Sequence, residues 1–296
     1  MSIDYTEALT KINNLELAEN TKANLKAVLN KFNKNNIKTS NELYNYLLSI
    51  RQDTKQSTYY SYISSTISLM NKDIIPRGIH YEKIEELFNE IKLLRDKATT
   101  IEPTEKQTNN FIELPELQNK VSTIKDATEK LLVSLYVDIP PIRLDYANVR
   151  IVDKLKDIPT EDDLQNYYAI RENTIVLRDY KTKKSYGEYK YKLLPKHKAL
   201  IKYIVNDTGQ QYLFINPTTK LPYSNNKFGV YLTEVFNKYY NKPITLLDLR
   251  HIYASYYSID EYGLEKVKEV AGRMLHSAEE NVVEYQKYFK KDTQTD

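Results

Sequence analysis

The stretch Thr245-Leu-Leu-Asp-Leu-Arg-His-Ile-Tyr-Ala-Ser255, followed by Gly272-Arg-Met-Leu-His-Ser-Ala-Glu-Glu-Asn-Val-Val-Glu-Tyr285, decides how this chain is read. The first segment has helical spacing, with Leu249, Ile252 and Tyr253 on one face. Arg250 falls within that apolar turn. A guanidinium drawn into such surroundings needs anionic partners or several acceptors, and an ion pair with an acid of the same domain would meet that need. His276 stands at a helix break, and Tyr285 follows nine positions later beside Val282 and Phe289. Tyrosine supplies 27 of 296 residues, so about one histidine in eleven meets a tyrosine at any given offset. With four histidines the pair arises by accident about one time in three, so its weight comes from the Arg250 helix before it.

Upstream, the sequence separates into two regions. Residues 1–97 have helical periodicity. One helix carries Leu25, Val28, Leu29 and Phe32 behind Asn20 or Thr21 as N-cap, and a second spans 41–50 behind Ser40. A third spans 58–70, and a fourth at 81–97 carries Ile84, Leu87, Phe88, Ile91 and Leu94 as one stripe. Four short helices predict a small bundle. Residues 98–110 are polar, contain Pro103 and lack periodicity, which predicts an interdomain linker. Residues 111–296 are mixed. Helices are expected at 115–124, 127–137 and 196–206, and again from about 225 with breaks near Pro243, Gly263 and His276. Strands are expected at Val149–Val152, Tyr168–Leu177 and Tyr186–Leu194, and 211–215 as a short strand or buried extended piece. The expected fold is mainly α with a small β-sheet on one side of the second domain.

Composition narrows the function. The chain is 41% hydrophobic and 28% charged, as globular proteins are, and no stretch has the twenty apolar residues of a membrane span. The absence of cysteine excludes disulfides and thiolate metal sites, and four histidines leave little for a dedicated metal centre. The first residues lack the basic-then-apolar pattern of a secretion signal, so an intracellular location is expected. A net charge of +3 is too mild to announce a polyanion partner. Its distribution says more, because Arg178, Lys181, Lys183, Lys184, Lys190 and Lys192 are opposed locally only by Asp179 and Glu188 and are interleaved with tyrosines. Such a run is either a solvated hairpin face or a surface for phosphates.

The combination Leu249-Arg250-His251-Ile-Tyr-Ala-Ser, His276-Ser and Tyr285 resembles the last third of the tyrosine recombinase, or phage integrase, family, whose catalytic domain is shared with type IB topoisomerases. Upstream, Asp138-Ile-Pro-Pro-Ile-Arg143-Leu-Asp-Tyr is similar to the family's first catalytic arginine segment, and Asp179-Tyr-Lys181-Thr-Lys to its β-hairpin lysine. The Pro-Pro-x-Arg-Leu-Asp-Tyr wording is also similar to versions carried by large DNA viruses and their parasites. The resemblance implies a helical core-binding domain that clamps duplex DNA, at 1–97, and a catalytic domain at 111–296. It implies site-specific cleavage and rejoining of double-stranded DNA through a 3′-phosphotyrosyl intermediate, with self-association into a tetrameric synapse and with no metal, ATP or other cofactor. The catalytic set it implies is Arg143, Lys181, Arg250, His276 and Tyr285, with Arg178, Lys183, Lys184, Lys190 and Lys192 touching DNA.

Chemistry accounts for that set. Attack of a tyrosine oxygen on a phosphodiester builds negative charge on a five-coordinate phosphorus, which two guanidiniums clamp bidentately at any working pH. The leaving 5′-oxygen needs a proton, and the implied general acid is Lys181, with Lys183 and Lys184 as alternatives in register. Asp145 is expected to orient Arg143 by a salt bridge, His251 to be a structural neighbour, Arg150 to be a strand residue competing weakly with Arg143, and His80 and His197 to lie at the surface. Two positions depart from the family. Leu247 stands where a histidine or lysine is usual, and Leu275 where a glycine precedes the motif histidine. These departures also admit a non-catalytic DNA-binding protein on a decayed scaffold, and the shared chemistry admits a topoisomerase.

Overall fold

Residues 2–98, 103–160 and 165–275 are described in the computed structural model of the chain. The chain divides into two compact units, Met1–Thr100 and Ile101–Asp296, each built around its own core.

The first unit holds five helices: α1 (Tyr5–Asn14), α2 (Glu19–Lys34), α3 (Ser40–Ser49), α4 (Gln56–Asn71) and α5 (Tyr81–Ala98). Leu25, Val28, Leu29 and Phe32 of α2, Leu43 and Leu47 of α3, Tyr59 and Ile63 of α4 and Ile84 of α5 are buried together, as their spacing requires. Helix α1 is additional to the four expected. It buries only Ala8 and Ile12, too few apolar positions to stand out as a stripe, and it begins at Asp4, whose carboxylate accepts from the backbone N–H of Thr6 and Glu7. The starts also differ from expectation. Helix α2 begins after Ala18 with no side-chain cap. Helix α3 is capped by Thr39 in a reciprocal box with Glu42, one residue before the expected Ser40.

The second unit opens with α6 (Glu105–Asn110), which lies within the polar span read as linker; Thr104 and Gln107 box its start. Then come α7 (Leu114–Lys120), continued by a 3-10 turn, and α8 (Ala127–Val137). Every residue from Leu131 to Val137 is buried, so α8 is the central helix, with α7, α10, α11 and α12 packed against it. The sheet comprises β1 (Val149–Val152), β2 (Asn166–Ala169), β3 (Thr174–Leu177) and, after the one-turn helix α9 (Lys183–Tyr186), β4 (Tyr189–Lys192). Its order is β1-β2-β3-β4, parallel between the first pair and antiparallel thereafter. The single segment expected over Tyr168–Leu177 is therefore a hairpin that turns through Asn173 in the left-handed region. In β4, Tyr189 and Tyr191 are half-buried while Lys190 and Lys192 are exposed, the alternation a one-sided strand demands. Residues 211–213 bond along β1 through Ile151 N–H to Gln211 O and Leu213 N–H to Val149 O. The remaining helices among the described residues are α10 (Pro195–Thr208), α11 (Asn225–Tyr240), α12 (Leu246–Tyr256) and α13 (Ile259–Arg273), the last kinked at Gly263. Among the described residues, no helix is long and apolar enough to cross a membrane.

Candidate active site

Helix α12 starts at Thr245, whose hydroxyl accepts from the Asp248 N–H while the Asp248 carboxylate accepts from the Thr245 N–H. Asp248 is buried and also accepts from the Asn110 amide at 3.1 Å, so the end of α6 is fastened to the start of α12. One turn on, Arg250 is 3% exposed. Its Nη1 donates to Pro141 O at 2.7 Å and to Met274 O at 3.0 Å. The acid expected beside a buried arginine is replaced, at this nitrogen, by two backbone carbonyls.

Arg143 follows the Pro140-Pro141 bend after α8. Its backbone carbonyl accepts from the hydroxyl of buried Tyr136 at 2.9 Å, and its own Nη1 donates to Leu275 O at 2.9 Å. The Leu275 carbonyl also accepts from Thr182 Oγ1 at 3.1 Å. Three segments far apart in sequence, at 143, 182 and 250, thus fasten on the two carbonyls of Met274 and Leu275. His276 is the next residue, and it and Tyr285 lie outside the described residues. Leu275 itself is fully buried yet has φ 55°, in the left-handed region that a glycine would occupy at no cost.

The other predicted residues divide. Lys181 is exposed between two buried anchors, Tyr180 and Thr182. Lys184 and Lys192 are exposed and Lys183 is half-buried. Lys190 pairs with Glu188 at 2.6 Å, and Arg178 binds the same carboxylate at 2.6 Å and Pro159 O at 2.5 Å, which turns its guanidinium toward its own hairpin. Arg150 is exposed on β1 and His251 is buried within α12. Leu247 is 51% exposed on the first turn of α12.

Three expectations are corrected. No ion pair joins Asp145 to Arg143. The Asp145 carboxyl is buried, its Oδ2 has no hydrogen-bond partner, and burial raises its pKa to about 6 against the opposing fields of Arg143 and Arg250. His197 is not at the surface but fully buried, with Nε2 3.6 Å from Asp138 Oδ2, where Lys196 and Ser134 also bind. Its spacing with buried Ile201 and Ile204 along α10 was the available signal. His80 is half-buried, stacked on Tyr44 and bonded to Asn41. Sequence reasoning also missed Tyr136 and Thr182, because residues that hold a site by bonding backbone carbonyls leave no motif.

No family model and no curated protein sequence matches the chain. Solved structures do. The integrase of transposon Tn1549, in complex with circular intermediate DNA, superposes with a TM-score of 0.61 at 12% identity, over 99% of this chain and 97% of that one. A lambda integrase dimer bound to a core site superposes with a TM-score of 0.57 at 12% identity, over 100% and 98%. At such identity the likeness is one of fold. The chain shares the fold of these integrases, which is the fold its motifs led one to expect.

Proposed function

We propose that the chain is a site-specific DNA recombinase or integrase that cleaves one strand by attack of Tyr285 and rejoins it from a 3′-phosphotyrosyl intermediate. The observation that carries this reading is the convergence of Arg143, Arg250 and the segment bearing Lys181 on the Met274–Leu275 carbonyls, directly before His276. In this reading Arg143 and Arg250 hold the non-bridging oxygens, His276 bonds one of them, and Lys181 protonates the leaving 5′-oxygen. The P–O bond to Tyr285 stores the energy of the broken phosphodiester, so rejoining runs without a nucleotide. Residues 1–97 would act as the DNA-clamping unit and 111–296 as the catalytic one, and both lambda and Tn1549 integrases are seen with DNA. Exposed Lys184 and Lys192, with Lys183 and Lys190, would supply phosphate contacts.

The test is a detergent-resistant protein–DNA adduct on nicked duplexes from the ends of the chain's own element. Wild type should form it and Tyr285→Phe should not; an adduct in that variant would sink the assignment of the nucleophile. Exposed Leu247 and strained Leu275 favour a second reading, a DNA-binding protein without catalysis. Salt-sensitive binding with no adduct from wild type would select it.

A further inference from the structure

Thr182 is the residue before α9, where a threonine hydroxyl ordinarily accepts from a backbone N–H of the following turn. Here it makes no such bond. The side chain is buried, and its Oγ1 donates instead to Leu275 O, 93 residues away. The Thr182 carbonyl still organises the turn, accepting from Ser185 N–H at 2.9 Å and Tyr186 N–H at 3.2 Å. On the other side of Lys181, buried Tyr180 sends its hydroxyl to Gly187 O at 2.7 Å. Lys181 is thus an exposed residue held between an anchor internal to its own loop and an anchor to the Leu275 turn. The Leu275 carbonyl also receives Arg143. A general acid must meet its oxygen within hydrogen-bond reach, and small displacements cost large factors in rate.

We infer that Thr182 is a positioning residue that sets Lys181 against the Arg143–Leu275 turn, so that the Lys181 Nζ proton passes to the 5′-oxygen as the P–O5′ bond breaks and the Tyr285 oxygen, its own proton given up to water, bonds to phosphorus. The inference rests on the proposed function for its chemistry, but the anchoring it describes is open to a separate measurement.

The test compares Thr182→Val, which keeps the shape and removes the donor, with Thr182→Ser, which keeps the donor. Two nicked substrates are used, an ordinary one and one with sulfur in place of the leaving 5′-oxygen. A thiolate leaves without a proton, since thiols have pKa about 8.5. Thr182→Val should form adduct about tenfold more slowly on the oxygen substrate, an effect of the size expected from misplacing a catalytic group. It should stay within about twofold of wild type on the sulfur substrate, and Thr182→Ser should restore the oxygen rate. Equal slowing on both substrates would make Thr182 a support of the turn alone and overturn the inference.

Trypsin supplies the readout that needs no catalysis. Cleavage of the full chain after Lys181, Lys183 and Lys184, mapped by mass, should be about fivefold faster in Thr182→Val, the loss of one hydrogen bond, and normal in Thr182→Ser. Unchanged cleavage would also overturn it. Should wild type form no adduct on either substrate, the recombinase reading fails, and trypsin still decides whether Thr182 anchors this segment.

Discussion

Replacing Leu275 by glycine gives the residue usual at this place in the family that the motifs resemble, yet it should destabilise this protein. Two terms oppose each other. A leucine at φ 55° bears a steric penalty of about 1–2 kcal/mol that glycine does not. The same side chain is fully buried in the core of the second unit, and deleting a buried leucine side chain costs about 3–5 kcal/mol, cavity included. Packing wins, and Leu275→Gly should lose about 2 kcal/mol. Leu275→Ala removes the same packing and keeps a Cβ in the strained conformation, so it should be about 1 kcal/mol less stable than the glycine variant. Both keep the backbone carbonyl that receives Arg143 and Thr182. The assay is urea denaturation of the three proteins. With slopes of about 2 kcal/mol per molar, the glycine midpoint should fall by about 1 M and the alanine midpoint further. A glycine variant as stable as wild type would show that packing at 275 contributes little. Alanine and glycine variants of equal stability would refute the left-handed conformation itself.

Asp145 should make stability fall as pH rises. Its folded pKa of about 6 lies above the unfolded value near 3.8, so its favourable contribution is complete below about pH 4 and is lost as pH rises through 6. Asp145→Asn should flatten that fall in urea midpoints between pH 4 and 7; parallel curves would count against it. Tyr136→Phe should cost about 1–2 kcal/mol and slow adduct formation, since it strips the Arg143 carbonyl of its buried donor; unchanged denaturation and adduct kinetics would dismiss that bond. The double change Lys190→Ala with Lys192→Ala should lower DNA affinity uniformly across sequences and reduce the salt slope by up to about 2, less if Glu188 already neutralises Lys190. Arg143→Lys should hold stability within about 1 kcal/mol but cut adduct formation about 10²-fold. An ammonium retains the charge but cannot bond Leu275 O with one nitrogen while offering a planar fork to a phosphate; full activity would show that charge alone suffices at 143.

The parts of the fold that were legible are those in which one element buries one face. Helices α2 and α4 and the strand β4 declare themselves by spacing, because burial on one side leaves a period. Helix α1 did not, since its packing rests on two residues and its start on a single carboxylate. Helix α6 escaped because its anchor, Asn110 to Asp248, is a tertiary polar bond made by a residue whose type ordinarily signals loop. The same contrast holds at the site. Arg250 stood out as a charge inside an apolar turn, and Arg143 and Lys181 through the order of motifs that resembles the family's. Their supports were not, because what Arg250, Arg143 and Thr182 seek is a carbonyl oxygen, and every residue carries one.

That choice of acceptor bears on electrostatics. A buried arginine paired with a carboxylate has its charge cancelled within a few ångströms, and a phosphate must then compete with the resident acid. Arg143 Nη1 and Arg250 Nη1 are held by neutral carbonyls at Leu275, Met274 and Pro141, acceptors that orient these nitrogens and bring no negative charge of their own. Asp145, buried near both arginines, makes no ion pair with Arg143, and burial holds its pKa near 6, so its negative charge declines as pH falls below that value. At these two nitrogens the guanidiniums are thus oriented by neutral acceptors before any substrate arrives, and under the proposed function such preorganisation is the condition in which electrostatic stabilisation of a transition state is strongest.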